Sequence, residues 1–361
     1  MCHRELRAHV HSTGRGQIIV MLIALVAVFA NHKVVAEVQS DELKPFLRQS
    51  ESVVRVMSWN IKIDSIFPPD GVRQESFKRI VRALEPDVIG LQEVFHGRTD
   101  ALTALMNSYI PLSEDRLWSV HIVGDNALIS RYPLQQQGGE LVVPFPYPQL
   151  GVPDFQYGFA AAYVDLPEST SDRDLYVITM HNKSRTGDEN VRLRQVQSDA
   201  TVRWLRNLRV EEHPESIPVF TPIVVMGDLN VIPGASMRPY ETLITGDIVD
   251  EETFGPDVEL DWDGTRLADS MPGINGGEEL YYTWRNDEMG FPPSSLDRIF
   301  FTDSVMSIDQ KFVLDTTTMS KSDLSALGLQ RSDVLLGGNI GIYDHLPLFT
   351  DFVVHTVPKN R

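Results

Sequence analysis

The 361-residue chain contains a single cysteine, Cys2. A lone thiol excludes an intramolecular disulfide and any cysteine-built metal site. Basic residues are also scarce: 32 Lys+Arg stand against 50 Asp+Glu, a formal net charge of -18. That balance repels nucleic acid at long range and argues against binding through a broadly basic surface. A local basic groove stays open, as does an acidic site that holds cations beside a phosphate. No apolar run reaches the ~20 residues of a comfortable membrane span. No repeat of solenoid length and no serine-hydrolase elbow is visible.

The apolar run Ile18–Ala30 follows Arg4, Arg7 and Arg15 and precedes Val34-Val35-Ala36. This is the layout of an export signal. Residues 1–36 are expected to be a signal peptide cleaved after Ala36, or an uncleaved membrane anchor using the same helix. A mature chain without cysteine suits an oxidising compartment, periplasmic or extracellular. Residues 37–50 are polar and lack a strong period, and read as a linker. Residues 51–356 read as one domain, expected to be a monomer.

Within it, apolar runs and breakers predict strands over 53–59, 87–93, 127–130, 160–164, 175–180, 222–226, 296–301 and 346–354. Helical spacing covers 75–84 and 190–210. Residues 234–293, rich in Gly, Asp, Glu and Pro, read as loops with short helices around a site. The polar residues are informative by position. Strands end at Asn60, Glu93, His181 and Asp228 with Asn230, and Asp344-His345 precedes the last one. Strand ends gathered at one sheet edge bring such groups together across long sequence separations. Singly, each is a turn residue, a solvated strand end or a satisfied histidine; the set in order points to phosphate chemistry.

The chain resembles the endonuclease/exonuclease/phosphatase superfamily. The likeness rests on Ser58-Trp59-Asn60, Gln92-Glu93, Ile129-Ser130-Arg131-Tyr132-Pro133 and Thr179-Met180-His181. It continues through Gly227-Asp228-Leu229-Asn230, Tyr282-Thr283-Trp284, Leu296-Asp297-Arg298-Ile299-Phe300 and Tyr343-Asp344-His345-Leu346-Pro347. The resemblance implies an α/β fold, a two-layer mixed β-sandwich flanked by helices, as in deoxyribonucleases. It also implies Mg²⁺ or Mn²⁺ held by Glu93 with Asn60 and Asp344 nearby, since hard oxygen donors suit those ions. Asp228 would orient or deprotonate the attacking water, Asn230 and His181 would donate to the phosphate, and His345, held by Asp297, would serve as an acid/base or electrostatic group. Loss of Glu93, Asp228 or His345 would have marked a non-catalytic binding module with the same fold; all three are present.

Two departures stand out. Some nucleases of the family carry an acid two residues after the first asparagine, where this chain has Lys62. The tryptophan-glycine-aspartate signature of inositol 5-phosphatases is absent, because Met226 precedes Gly227. Substrate choice lies in loops. Lys183 and Arg185, with Arg192 and Arg194, either meet a polyanionic substrate or form a solvated helix start. The aromatic segment 144–159 either touches lipid or bases, with transient membrane contact, or folds over the core. Phospholipid head groups, nucleic acids and soluble phosphoesters are all candidate substrates.

Overall fold

The structure is a computed structural model. It describes residues 41–356 apart from 68–70, 96, 114–115, 148–151, 212, 214–215, 287–289 and 335–343, and side chains except also those of 41–42, 71–72, 144–147 and 152–156. The expected signal segment lies outside the described residues, as does Tyr343.

Along the chain, strand β1 (Val53–Asn60) leads to helix α1 (Gly71–Leu84), β2 (Val88–Gln92), α2 (Thr99–Tyr109), β3 (Ser119–Val123), β4 (Asn126–Ser130), β5 (Leu134–Tyr147), β6 (Val152–Val164) and β7 (Leu175–His181). Helix α3 (Asp188–Asn207), β8 (Ile223–Asp228), α4 (Arg238–Thr245) and α5 (Glu251–Phe254) follow. Then come β9 (Ala268–Asp269), β10 (Trp284–Asn286), β11 (Phe291–Ser294), β12 (Asp297–Phe301), β13 (Met306–Val313), α6 (Lys321–Leu327) and β14 (Leu348–Val354).

Two six-stranded sheets form the frame, ordered β13-β14-β1-β2-β4-β3 and β5-β6-β7-β8-β12-β9. Both are mixed: β1 and β2 run parallel, as do β7 and β8, while the other pairs are antiparallel. Every residue of β1, β2, β7 and β8 is buried. Strands covered on both faces read as continuous apolar runs rather than alternation, which is why these four are plain in the sequence. The sheets stack closely at Gly90, where an added Cβ would lie 2.6 Å from Oγ1 of Thr179 and 2.7 Å from Cε of Met226. Beside that contact, Nε2 of Gln92 donates across to Oγ1 of Thr179 at 2.9 Å, tying the layers together just below the site.

The outer layers follow from spacing. Phe77, Ile80, Val81 and Leu84 fall on one face of α1, and all are buried. Phe77 stacks on Trp59 of β1, centroids 6.0 Å apart; truncating such a buried ring costs ~3–5 kcal/mol. One charged pair also lies in the core. Nε and Nη2 of Arg55 each donate to Asp351 at 2.7 Å, and Nη1 donates to the carbonyls of Phe46 and Leu84.

Two expectations need correction. The stretch read as a linker is not a free tether from Pro45 onward, where the unit carrying the site begins. Phe46 is buried edge-on against Phe312, and Arg48 pairs with Asp87 at 2.7 Å, so apolar and ionic contacts outweigh the polar texture. The segment 144–159 is not a loop but belongs largely to β5 and β6, which pair antiparallel from Leu134↔Val164 to Tyr147↔Val152. Of its aromatic side chains, those described are Tyr157 and Phe159, and both are buried. The side chains of Phe145, Tyr147 and Phe155 lie outside the described residues.

Among the described residues no helix is long and apolar enough to cross a membrane.

Candidate active site

Register brings the strand ends together. In the second sheet His181, Asp228 and Asp297 are lateral neighbours, because His181 pairs with Asp228 across β7–β8 and Asp228 with Asp297 across β8–β12. In the first sheet Asn60 pairs with Gln92, placing Glu93 one residue beyond. Ser58 pairs with Leu348, so Asp344-His345 arrives at the same end from the antiparallel side. An isolated bridge joins Trp284 to His345. The ends meet around a cavity of about 730 Å³ lined by Glu93, His181, Asp228, Asn230, Asp344 and His345, among others.

Asp228 is the hub. Its Oδ2 accepts from Nδ2 of Asn60 at 3.1 Å and lies 3.5 Å from Nε2 of His181 and 3.6 Å from Nε2 of His345. Its Oδ1 accepts from the backbone N of Asn230 at 3.0 Å. Asn230 adopts φ 50 and donates Nδ2 to the carbonyl of Asn182 at 2.9 Å, which leaves one amide hydrogen free to reach a ligand.

Each histidine is held from behind by a carboxylate. Nδ1 of His345 lies 2.9 Å from Oδ2 of Asp297, and that oxygen also accepts from the hydroxyl of Thr283 at 2.5 Å. Nδ1 of His181 lies 2.5 Å from Oδ2 of Asp125, and Tyr157 packs edge-on against the ring. Burial pushes both imidazoles down, but the surrounding carboxylates outweigh it. Asp125, Asp228 and Glu93 raise His181 to about 9; Asp297, Asp228 and Asp344 raise His345 to about 10.

Glu93 presents the next carboxylate, from a left-handed backbone at φ 64. Its Oε1 accepts from Nδ2 of Asn60 at 3.0 Å and its Oε2 from the backbone N of Ile63 at 2.8 Å. Lys62, Ile63 and Asp64 are themselves left-handed, at φ 55, 50 and 53. Three consecutive non-glycine residues in that region are strained. The turn is secured where Asp64 takes the backbone N of Phe95 at 2.9 Å and Nε of Arg98 at 2.8 Å. Burial pushes the Glu93 carboxyl up, as does the charge of Asp344.

Glu93, Asp228 and Asp344 line one space, with Asp297 buried behind His345, and carboxylates so gathered favour a cation. Oδ1 of Asp297 is buried without a hydrogen-bond partner among the described residues. Ligand atoms of Asp228, Asp297 and His345 lie within 4.8 Å of one another, a spacing that a metal ion can bridge. This set differs from the expected Asn60, Glu93 and Asp344. Of the expected set, Glu93 and Asp344 line the cavity with carboxylate oxygens, the donor type that suits a hard divalent cation.

The remaining expected residues divide. Arg185 lines the cavity, but Lys183 does not. The Lys183 ammonium donates to the carbonyl of Ser184 at 3.1 Å and sits 5.6 Å from the Tyr157 ring centroid. Lys62, two residues after Asn60, places Nζ 3.7 Å from Oδ2 of Asp344. Asp125 is the residue that sequence reasoning missed. It sits in the turn between β3 and β4 beside Gly124, where an aspartate looks like ordinary turn chemistry.

Solved structures share the fold. The human Nocturnin catalytic domain with bound sulfate anion matches at TM-score 0.51 and 17% identity, over 87% of this chain and 99% of that one. ANGEL2, a 2',3'-cyclic phosphatase, matches at 0.51 and 15%, over 83% and 95%. An endonuclease/exonuclease/phosphatase from Beutenbergia cavernae DSM 12333 matches at 0.50 and 18%, over 85% and 73%. No curated protein sequence matches the chain. The sequence profile of the Endonuclease/Exonuclease/phosphatase family matches residues 57–323, and the chain belongs to that family.

Proposed function

We propose that the protein is an exported, divalent-metal-dependent phosphodiesterase. The observation that carries this reading is Asp228, whose Oδ2 is approached by Asn60, His181 and His345 within 3.1–3.6 Å. A phosphoester needs its negative charge neutralised, a water aligned opposite the leaving oxygen, and a proton for that oxygen. A Mg²⁺ or Mn²⁺ held by Glu93, with Asn60 and Asp344 adjacent, would supply the first. Asp228 takes the proton of the attacking water, whose oxygen bonds to phosphorus as the bond to the alcohol breaks. His345, its ring fixed by Asp297, offers the proton at Nε2 to the departing oxygen. His181 and the spare amide hydrogen of Asn230 donate to the phosphoryl oxygens.

The cavity supports a diester, because it has room for organic groups as well as a phosphate and its walls include Ile63, Phe95, Trp284, Phe291 and Leu296. Export, resting on residues 1–36, makes nucleic acid fragments, lipid head groups and soluble esters of an oxidising compartment the substrates to try. The test is a panel of bis-p-nitrophenyl phosphate, p-nitrophenyl phosphate, plasmid DNA and sphingomyelin vesicles, with Mg²⁺ or Mn²⁺ and with chelator. Metal-dependent hydrolysis of the diester above the monoester is expected. Equal turnover in the presence of chelator would overturn the metal requirement.

A further inference from the structure

We propose that Arg185 forms a second anion subsite, so that the preferred substrate is a phosphodiester whose organic group carries a further phosphate. The proposal rests on the phosphodiesterase reading above and narrows its substrate class.

The first observation is backbone strain. Arg185 adopts φ 76, a region strained for a non-glycine residue that persists only where the surroundings enforce it. Helix α3 does the enforcing. Buried Arg194 donates Nη1 to the carbonyls of Lys183 at 2.7 Å and Arg185 at 2.9 Å. One turn along, Gln197 accepts from the backbone N of Lys183 at 2.7 Å and donates to the carbonyl of His181 at 2.9 Å. The same helix face therefore grips both ends of the segment 181–185, and the offset between the His181 imidazole and Arg185 is fixed.

The second observation is charge. In this acidic chain arginines commonly meet a carboxylate, as in Arg55–Asp351, Arg79–Asp333, Arg98–Asp64 and Arg285–Asp315. Arg185 has no such partner among the described residues, and it lines the cavity together with Ser184 and Thr186. Arg194, which holds this segment, keeps a buried Nη2 without a hydrogen-bond partner among the described residues. Burial and the charges of Arg185 and Arg194 lower the Lys183 ammonium to about 8. Arg185 is thus a rigidly held cation, without a carboxylate partner among the described residues, on the wall of the proposed phosphate site. A guanidinium fork matches phosphate oxygens in a bidentate way, and its worth grows where water is partly excluded. Trp284, bridged to His345 on the other flank of Asp228, gives the organic group a flat surface.

The test uses paired substrates on the full protein with Mg²⁺ or Mn²⁺: thymidine 5'-(p-nitrophenyl phosphate) with and without a 3'-phosphate, and a myo-inositol 1-(p-nitrophenyl phosphate) pair with and without a 4-phosphate. The native protein is expected to favour a phosphorylated member at least tenfold in kcat/KM. The pair that shows it separates a nucleotide from a polyol-phosphate source. In Arg185→Gly that ratio is expected to fall towards one, while the thermal midpoint does not drop, because glycine accepts the φ without strain. A ratio near one in the native protein, or one that survives in Arg185→Gly, overturns the proposal and leaves the phosphodiesterase reading standing. If the native protein cleaves none of the four esters although bis-p-nitrophenyl phosphate is cleaved, the subsite is likewise refuted. Failure on all five esters and on plasmid DNA and sphingomyelin vesicles overturns both.

Discussion

Oδ2 of Asp125 lies 2.5 Å from Nδ1 of His181, buried behind the ring that lines the cavity beside Asp228. The contact fixes which imidazole nitrogen faces the substrate: Nδ1 is engaged from behind, so Nε2 is presented. Asp125→Asn keeps the shape but removes the charge that holds the proton. A kcat lower by ~10- to 100-fold is expected, the usual scale for a supporting carboxylate behind a functional histidine. Steady-state kinetics on a simple diester checks this, with circular dichroism confirming the fold. Native kcat in the variant would remove His181 from the chemistry.

The same pair carries a pH signature in metal-free protein. His181 is raised to about 9, above its usual 6.5. The stabilisation it contributes is therefore complete below about pH 6.5 and is lost as pH rises through about 9. Lys183, lowered to about 8, works in the opposite sense between 8 and its ordinary 10.5, and His345, raised to about 10, adds a loss of its own, so raw stability against pH mixes all three. The difference in thermal midpoint between native and Asp125→Asn protein, both stripped with chelator, isolates His181. It should be largest near pH 6 and narrow by pH 10; a gap that widens on that path contradicts the assignment.

A second support reaches the site from the core. Nε1 of Trp59 donates to the carbonyl of His345 at 3.0 Å while its ring stacks on Phe77. Trp59→Phe keeps an aromatic ring but strands that carbonyl, at a cost of ~1–3 kcal/mol. Urea unfolding measures the loss, and kcat should fall with it because His345 is no longer anchored. Unchanged stability would show that water replaces the indole.

Most of the frame was readable because its central strands are buried on both faces: β1, β2, β7 and β8 announce themselves as largely apolar runs closed by a polar residue, with Arg55 and Ser58 as interruptions in β1. The edges were not readable. β13, Met306–Val313, alternates buried Met306 and Phe312 with exposed Ser307, Asp309 and Lys311, and carries a bulge between Ile308 and Gln310. β5 opens on Leu134-Gln135-Gln136-Gln137-Gly138-Gly139, which signals a loop until β6 is there to pair with it. The strand-end polar residues were legible as a set because register turns spacing into proximity. Asp125 was invisible since its role depends on a partner 56 positions away, and Lys183 looked like Arg185 in sequence although only Arg185 lines the cavity.

Lys62 bears on metal affinity. Its ammonium lies 3.7 Å from Oδ2 of Asp344, and both side chains are partly exposed. Exposed pairs are worth ~0.2–1 kcal/mol, so Lys62→Ala should release Asp344 and tighten Mn²⁺ binding by only about two- to fivefold. Titration calorimetry resolves that change. Weaker binding would mean that Lys62 holds Asp344 in its ligating position.

The convergence on Asp228 is tested most directly by replacing that carboxylate with its neutral isostere. Asp228→Asn should lower turnover of bis-p-nitrophenyl phosphate by ~10²- to 10⁴-fold, the range for loss of a general base, with the folded structure retained by circular dichroism. Turnover within a few fold of native, from a folded Asp228→Asn protein with Mg²⁺ or Mn²⁺ supplied, would contradict the account.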